Sequence, residues 1–412
     1  MPMYETHGIP DTRNGGKEHL NDLIANVPDH VLVDLVENFV GGSIETACRG
    51  AQICRSWNDA LSSSLFWRSQ LRNRFGTRPE LYHPEFRERF DSTSTASSES
   101  GIHPREVYGA THLLERRFSS GLFGSKESIC DDSPITALHM TRSVAVVSNS
   151  SGSLTVVSTS TNPSSVLESL PRVQTGSVIS CLAGQSDNQI WSAHQNGSIQ
   201  LWNIQELSQV SNHSVHDSRV SGLVTTDEKV LTISSKDGTL RVCDISVESV
   251  NIAQNFAPEA TPNSIALIDQ NLVMLGCRDN TCRLVDLRVR ETTHPAVHLS
   301  DWCLCVEPCT ANPSHVRASD KAVHLFDLRM LLAPLESRHR GRRLISKFKS
   351  DGSLRMVSCG LDGEIKVSSL ESLESTVTSI YSDDDYLLAV DFNRTRLICG
   401  GMNGLIEVFS FN

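Results

Sequence analysis

Residues 196–203 read NGSIQLWN, a tight turn followed by a strand whose apolar residues alternate with polar ones. Asn-Gly supplies the positive-φ backbone of a two-residue hairpin turn, and the alternation buries one face of the following strand. Equivalent turns recur every 41 to 45 residues, at 151–152, 196–197, 237–238, 279–280, 320–321, 362–363 and 403–404. At two and four residues beyond each turn, all fourteen positions are apolar in a chain that is 39% apolar overall. The chain therefore contains a repeat of about 42 residues.

A unit of this length with several short strands is typical of one blade of a β-propeller. Apolar runs that precede the turns, such as residues 144–147 and 230–233, supply the partner strands. Seven copies predict a mostly β fold, a seven-bladed propeller over residues 118–412.

The repeats resemble the WD-repeat family, in which a Trp-Asp pair closes the third strand of a blade. Degenerate forms of this pair stand at Trp202-Asn203, Cys243-Asp244, Val285-Asp286 and Phe326-Asp327. The family's Gly-His pair survives only as His216, and the resemblance implies a hydrogen-bonded bracket between His216 and Asp237. It also implies that an N-terminal segment completes the last blade and closes the ring, which removes open sheet edges. The candidate for that segment is residues 118–123 (FSSGLF).

Residues 23–76 change to a helical period. Pro28 suits the first position of a helix, and apolar residues follow it at helical spacing. Ser64 begins another helical stripe that carries Trp67 and Leu71. About fifty residues cannot bury so apolar a set of side chains by themselves. Either these helices dock on the propeller, or part of their surface is reserved for another chain.

The order of residues in this region resembles an F-box. The matching segments are residues 27–32 (VPDHVL), 53–57 (ICRSW) and 65–67 (LFW). The resemblance implies that the region binds the Skp-type adaptor of a cullin–RING ubiquitin ligase, and that Trp57 and Trp67 hold the internal core of the box. The implied adaptor-binding residues are Pro28, Leu32, Leu35, Ile44 and Ala47.

The flanking segments complete the predicted organisation. We expect a disordered tail over residues 1–22 and a linker over residues 77–117, between the F-box helical domain and the propeller. The linker contains a Ser/Thr-rich loop, residues 91–101 (DSTSTASSESG), which composition predicts to be disordered or loop-like. From Tyr108 to Phe118 the pattern predicts a connector helix, as in F-box/WD-repeat proteins.

Composition excludes several classes of protein. The net charge of −11 removes a general basic field for nucleic acid or anionic membrane. The first residues lack the apolar middle of a signal peptide, and no apolar stretch is long enough to span a bilayer. Twelve cysteines without tight paired spacing indicate reduced thiols. These features predict a cytoplasmic or nuclear protein, or one found in both, that binds neither nucleic acid nor membrane.

The sequence carries no phosphate-binding, nucleophile-elbow or zinc-protease motif, so we expect a non-enzyme without cofactor or metal. Cys303, Cys305 and Cys309 could be read as zinc ligands. Residues 303–306, which include Cys303 and Cys305, fall where the first strand of a blade belongs, and their alternation favours core packing. Residues 383–385 are three aspartates in a row, more typical of a solvated loop than of a cation site.

Residues 338–343 (RHRGRR) are the strongest candidate for a binding site in the propeller. The loop should connect the fifth and sixth blades on the face that carries the Asp-Gly turns, close to the aspartates of residues 383–385. Guanidinium groups bind carboxylates and phosphates through paired hydrogen bonds, so an acidic or phosphorylated protein segment would suit it. A nuclear-localisation signal and plain solvated surface are alternatives. The candidate substrate-binding residues are Arg338, Arg340, Arg342 and Arg343.

Together these features predict a non-catalytic substrate receptor of a Skp–cullin–F-box (SCF) ubiquitin ligase. Two alternatives stay open. Residues 285–288 (VDLR) and 326–329 (FDLR) are near matches to the Trp-Asp-x-Arg motif of receptors for the other propeller-using cullin ligase. A scaffold that binds the adaptor without leading to degradation is the other alternative.

Overall fold

The computed structural model describes a propeller and part of the helical region before it. The described residues are 64–75, 103–131, 133–141, 144–158, 171–245, 250–289, 291–293, 295–309, 312–331, 333–351, 355–370, 377–382 and 385–411. Contacts divide the chain into two units, Met1–Leu114 and Glu115–Asn412. The predicted N-terminal tail, most of the F-box region and the Ser/Thr-rich loop lie outside the described residues.

Residues of the second unit form a seven-bladed β-propeller, as the repeat predicted. Every blade is an antiparallel sheet of four strands, except that the outer strand of the fourth blade is split in two. The strands of blades 1 to 3 are β2 (Ile135–Met140), β3 (Val144–Asn149), β4 (Ser153–Ser158), β5 (Arg172–Gln174); β6 (Ile179–Gly184), β7 (Gln189–His194), β8 (Ser198–Asn203), β9 (Ser208–Ser214); β10 (Gly222–Thr225), β11 (Lys229–Ser234), β12 (Thr239–Ile245) and β13 (Val250–Phe256).

The fourth blade carries the split outer strand, and the seventh takes its outer strand, β1 (Ser125–Cys130), from the start of the propeller. The strands of blades 4 to 7 are β14 (Pro262–Leu267), β15 (Leu272–Cys277), β16 (Thr281–Asp286), β17 (Glu291–Thr292), β18 (Val297–His298); β19 (Cys305–Pro308), β20 (His315–Ser319), β21 (Val323–Asp327), β22 (Glu336–Arg338); β23 (Ile345–Ser350), β24 (Arg355–Gly360), β25 (Glu364–Ser369), β26 (Thr378–Ser382); β27 (Leu387–Phe392), β28 (Arg396–Gly401) and β29 (Leu405–Ser410).

The seven predicted turns each join the second strand of a blade to the third. The apolar residue two positions beyond each turn is buried in every blade, as in Ile199 and Leu240. The Trp-Asp-like pairs stand at the ends of the third strands, where the resemblance placed them, and Trp202 is buried. Alternation thus packs one face of each sheet against the neighbouring blade.

Two of these turns allow a direct test of backbone geometry. Gly197 and Gly238 have φ angles of 87° and 72°, a region that favours glycine. A Cβ on Gly197 would overlap the backbone carbonyl of His216, whereas no described atom lies within 4 Å of the same position on Gly238. We expect Gly238→Ala to lower the free energy of unfolding by about 1–2 kcal/mol and Gly197→Ala by about 3 kcal/mol or more. Urea titration of the two variants measures this difference, and equal costs would mean that the steric term is absent.

The ring closes through an N-terminal strand, but not through the segment that we predicted. β1 (Ser125–Cys130) pairs with β29 along its whole length, from Ser125 opposite Ser410 to Cys130 opposite Leu405. The predicted segment, residues 118–123, instead forms the end of a helix and the turn after it. The prediction relied on the position of residues 118–123 just upstream of the first blade. An outer strand is half exposed and tolerates polar residues such as Lys126 and Ser128, so β1 carries no strong apolar pattern.

The described residues contain two helices, α1 (Ser64–Phe75) and α2 (Pro104–Ser119), and neither is long and apolar enough to cross a membrane. α1 begins at Ser64, as the sequence predicted. Its Trp67 is buried, and the centroids of the Trp67 and Tyr108 rings are 5.2 Å apart. The Arg105 guanidinium lies 5.8 Å from the centroid of the Trp67 ring. α2 contains the predicted connector helix and starts four residues earlier than expected.

The last turn of α2 packs against blades 6 and 7. Phe118 is fully buried, and the centroid of its ring lies 4.6 Å from that of Phe411 and 5.2 Å from that of Phe392. The guanidinium of the buried Arg355 lies 4.7 Å from the centre of the Phe118 ring. Glu115, one turn earlier, accepts a hydrogen bond of 3.3 Å from Arg394. This end of the helix is therefore part of the propeller core.

Candidate functional site

The candidate site lies on the face that carries the seven turns, which we call the display face. The arginine loop, residues 338–343, joins β22 of the fifth blade to β23 of the sixth, as predicted. Its backbone is held by neighbouring turns: Gly341 donates to the carbonyl of Lys321 at 2.7 Å, and the Arg342 amide donates to the Asp362 carboxylate at 2.8 Å. The backbone of the loop is therefore fixed by hydrogen bonds to its neighbours.

The four arginines of this loop have different environments. Arg338 is only 9% exposed, because it ends β22 and donates to the Ser369 carbonyl at 2.9 Å and to the Glu336 carboxylate. Arg340, Arg342 and Arg343 are exposed. Of the four candidate residues, the structure thus brings three to the display face and places Arg338 between blades.

Tyr386 from the next loop is the neighbour of Arg343. The Arg343 guanidinium lies 5.3 Å from the centre of the Tyr386 ring and donates to its hydroxyl at 2.7 Å. The sequence predicted three aspartates, residues 383–385, close to the arginine loop. Positions 383 and 384 lie outside the described residues. Asp385 accepts a 2.7 Å hydrogen bond from the Tyr386 amide.

A buried histidine in the middle of the loop was missed in the sequence. His339 adopts a positive φ of 53°, and its two ring nitrogens lie 2.8 Å from the hydroxyls of Ser358 and Ser368. His216 occupies the equivalent position in the third blade, where it contacts Asp237 at 2.8 Å, so the predicted bracket is confirmed. His339 lies about three repeat lengths after His216, and this spacing could have identified it although no glycine precedes it.

The environment of His339 gives the protein a pH-dependent stability. Burial, together with the nearby positive charges of Lys366 and Arg338, lowers the pKa of His339 from its ordinary 6.5 to about 3. Between these two pH values the unfolded chain binds a proton that the folded chain refuses, so stability present above pH 6.5 is lost as the pH falls. We expect this histidine alone to remove about 2 kcal/mol between pH 7.5 and pH 5.0.

Chemical denaturation of His339→Gln at the two pH values measures this contribution. The variant should depend less steeply on pH than the wild type, because the ring that refuses the proton is gone. Arg342→Gln, on the same loop but exposed, is the control and should keep the wild-type dependence. Identical pH dependence in His339→Gln and wild type would contradict the assignment.

A cavity of about 330 Å³, which we call the rim pocket, opens beside the arginine loop. It is formed by the end of β18 with the loop that follows, by the turn and third strand of the fifth blade, and by the arginine loop itself. Its apolar wall includes Phe326, Leu299 and Pro334, and its cationic side chains are Lys321 and Arg340. The pocket therefore combines apolar surface with positive charge.

One carboxylate, that of Asp320, also lines the pocket. It is buried and accepts hydrogen bonds from the amide and hydroxyl of Ser300 at 2.9 and 2.6 Å, from the Ala322 amide at 2.9 Å, and from His324 at 2.7 Å. Burial opposes ionisation, but the hydrogen bonds from His324, Ser300 and Ala322 outweigh it, so the pKa of Asp320 lies well below its ordinary value. Its ionised form is thus stabilised by fixed donors.

The three cysteines considered as zinc ligands are buried. Cys303 lies within an apolar cluster of the fourth and fifth blades, 3.6 Å from the Cys282 sulfur, and Cys305 lies in the next cluster. We had expected Cys303 in the first strand of the fifth blade. The strand begins at Cys305, so Cys303 lies in the loop before it. Across the described ranges, no group of three or more Cys, His, Asp or Glu side chains is arranged to hold a metal ion.

The opposite face carries a repeated ion pair. In blades 4 and 5 the turn after the third strand joins Asp286 to Arg288 and Asp327 to Arg329, each with a 2.6 Å contact. Both arginines are exposed, at 70% and 72% of their side chains. These are the near matches to the Trp-Asp-x-Arg motif, and they stand at equivalent positions of consecutive blades.

The adaptor-binding residues expected in the F-box lie outside the described residues; they are Pro28, Leu32, Leu35, Ile44 and Ala47. No family model matches this chain, and a search of curated proteins finds no significantly similar sequence. The function is therefore inferred from the sequence motifs, the propeller and the display face.

Proposed function

We propose that this protein is the substrate-recognition subunit of an SCF-type ubiquitin ligase and has no catalytic role of its own. The observation that carries the proposal is the combination of F-box-like residues 27–67 with a closed propeller in one chain. The F-box-like region would bind a Skp-type adaptor and, through it, a cullin–RING ligase. The propeller would hold the target protein, which raises its effective concentration near the ligase to about the millimolar range.

The display face supports the second half of this proposal. Arg340, Arg342 and Arg343 present exposed guanidinium groups from a loop whose backbone is already fixed. A fixed loop loses little conformational entropy on binding, so charge complementarity there favours association. An acidic or phosphorylated segment of the target protein fits these donors.

Adaptor capture tests the proposal. The full-length protein should retain a purified Skp-type adaptor, and Leu32→Asp should abolish that retention because it places a charge in the apolar contact. Arg342→Gln, far from the box in sequence, is the control and should bind the adaptor normally. Failure of the wild type to capture adaptor, or equal capture by Leu32→Asp, would refute the proposal.

A second candidate is a receptor for the other propeller-using cullin ligase. It is favoured by the two Asp–Arg pairs of blades 4 and 5, which hold exposed guanidiniums in the same orientation on consecutive blades. Affinity isolation from cells separates the candidates, because each predicts a different cullin in the isolated complex. A scaffold without a role in degradation predicts cullin association but an unchanged half-life of the bound partner after depletion of this protein.

A further inference from the structure

We propose that the rim pocket binds the C-terminal residue of a partner polypeptide, an apolar side chain together with its chain-terminal carboxylate. This proposal names a class of substrate for the proposed receptor. It rests on the proposed function in one respect, that the bound partner is a target of the ligase. The pocket itself is a property of the propeller.

The size and wall of the pocket suit a single apolar residue. A volume of about 330 Å³ lies at the lower end of the range for small-ligand sites, so it holds one or two residues rather than a chain passing through. Phe326 and Leu299 offer apolar surface inside, with Pro334 at the exposed edge. An aliphatic or aromatic side chain would exchange water for these contacts.

The charges of the pocket suit a carboxylate. Lys321 and Arg340 are both exposed at its opening. Lys321 lies 3.2 Å from Asp301, a partly exposed pair of modest strength, whereas the guanidinium of Arg340 has no carboxylate partner among the described residues. Asp320 remains an anion, with both oxygens engaged by its four donors. The two exposed cations of the pocket lining outnumber this single buried carboxylate.

Two further polar groups of the pocket, the His324 ring and the Arg340 carbonyl, already have hydrogen-bond partners. His324 uses one ring nitrogen on Asp320 and the other on the Ser337 hydroxyl at 2.8 Å, so it supports the wall. The Arg340 carbonyl accepts a 2.7 Å hydrogen bond from Lys366, which fixes the loop from the other side. Arg340 is therefore the side chain most available for a ligand anion.

A chain terminus matches both features better than an internal acidic residue. A C-terminal residue carries its apolar side chain and its charge on the same Cα, within the volume of this pocket. An internal aspartate, glutamate or phosphorylated residue brings the charge without an apolar group of comparable size, and it requires the chain to continue beyond the pocket.

Ligand-observed NMR titration of the full-length protein tests the proposal. The probes are a ten-residue Gly/Ser peptide ending in leucine, the same peptide amidated at its C-terminus, an amidated version with an internal glutamate, and free N-acetyl-leucine. We expect the free-acid peptide to bind with a Kd of about 1 mM or tighter. Amidation, or moving the charge to the internal glutamate, should weaken binding at least tenfold.

Two variants assign the binding to the pocket. Arg340→Gln should weaken the free-acid peptide about tenfold and leave the amidated peptide unchanged. Arg219→Gln, exposed in the loop between the second and third blades and outside the pocket, is the matched control and should bind like the wild type. Both variants should melt at the wild-type temperature, so that loss of binding reports the pocket and not unfolding.

Equal binding of acid and amide peptides, insensitivity to Arg340→Gln, or absence of binding would overturn the proposal. N-acetyl-leucine that binds as tightly as the peptide would assign the pocket to a free small carboxylate and would also overturn it. Adaptor capture is measured separately, so a protein that captures adaptor without binding the peptide defeats this inference alone. A protein that binds the peptide without capturing adaptor defeats the ligase proposal alone.

Discussion

Glu115→Ala is expected to lower the free energy of unfolding of the propeller by about 3–5 kcal/mol, as is usual when one partner of a buried ion pair is removed. Glu115 and Arg394 are both nearly inaccessible to solvent, with 3.3 Å between the carboxylate and the guanidinium. Arg355 is 1% exposed, and burial lowers its pKa to about 10, so it stays charged at neutral pH. Without Glu115, Asp351 is the remaining carboxylate near the two guanidinium groups.

The second variant in this experiment is the double substitution Glu115→Ala with Arg394→Met. It should recover part of the lost stability, because it removes the buried charge that the single variant leaves unpaired. The control is Glu259→Ala, which removes the exposed carboxylate of the Glu259–Arg283 ion pair. We expect it to lower the free energy of unfolding by at most about 1 kcal/mol. Urea titration measures all three, and a Glu115→Ala cost no larger than the control would contradict the buried-network interpretation.

Removal of β1 is expected to abolish the cooperative unfolding transition of the propeller. A chain beginning at residue 132 leaves all six β29 residues without their outer partners, from Leu405 to Ser410. Unpaired backbone groups on an open edge favour pairing with other chains. The truncation also removes Ile129 from its apolar cluster and Lys126 from the Tyr381 ring, where the ammonium lies 4.3 Å from the centroid.

Gel filtration and thermal melting compare this chain with one beginning at residue 103. The longer chain retains α2 and β1 and should be monomeric with a single cooperative melt, whereas the shorter one should form soluble oligomers or aggregate. A synthetic peptide of residues 103–133, which carries α2 and β1, should restore the melt of the shorter chain, because it supplies the missing strand hydrogen bonds and the core contacts of Phe118. A monomeric short chain that melts at the same temperature would show that closure is unnecessary.

Local features of the propeller could be predicted from the sequence, whereas features that depend on contacts between distant residues could not. The turn at Asn196-Gly197 and the buried residue two positions later could be read directly, because a tight turn and an alternating strand are local properties. The outer strand was misplaced because its half-exposed residues have no hydrophobic signature. His339 was missed because its role is to contact Ser358 and Ser368, which are adjacent only in the folded chain.

In the arginine loop, the position of the loop was predictable but the environment of each arginine was not. Its position between two blades followed from the repeat, but four arginines look alike in a sequence. Packing buries Arg338 against Glu336 and leaves Arg340 at the rim pocket. The pocket could not be foreseen, because its wall joins segments of two blades and a loop whose meeting depends on the packing of one sheet beside the next.

Periodicity and turn chemistry act over a few neighbouring residues, so they were sufficient to predict the number of blades and the place of each turn. The need for a closing strand followed from the family resemblance. Packing of the blades selected which strand closes the ring, which arginines face the solvent and where the rim pocket opens. These depend on burial and on contacts between residues far apart in the chain, and such contacts exist only once neighbouring sheets have packed together.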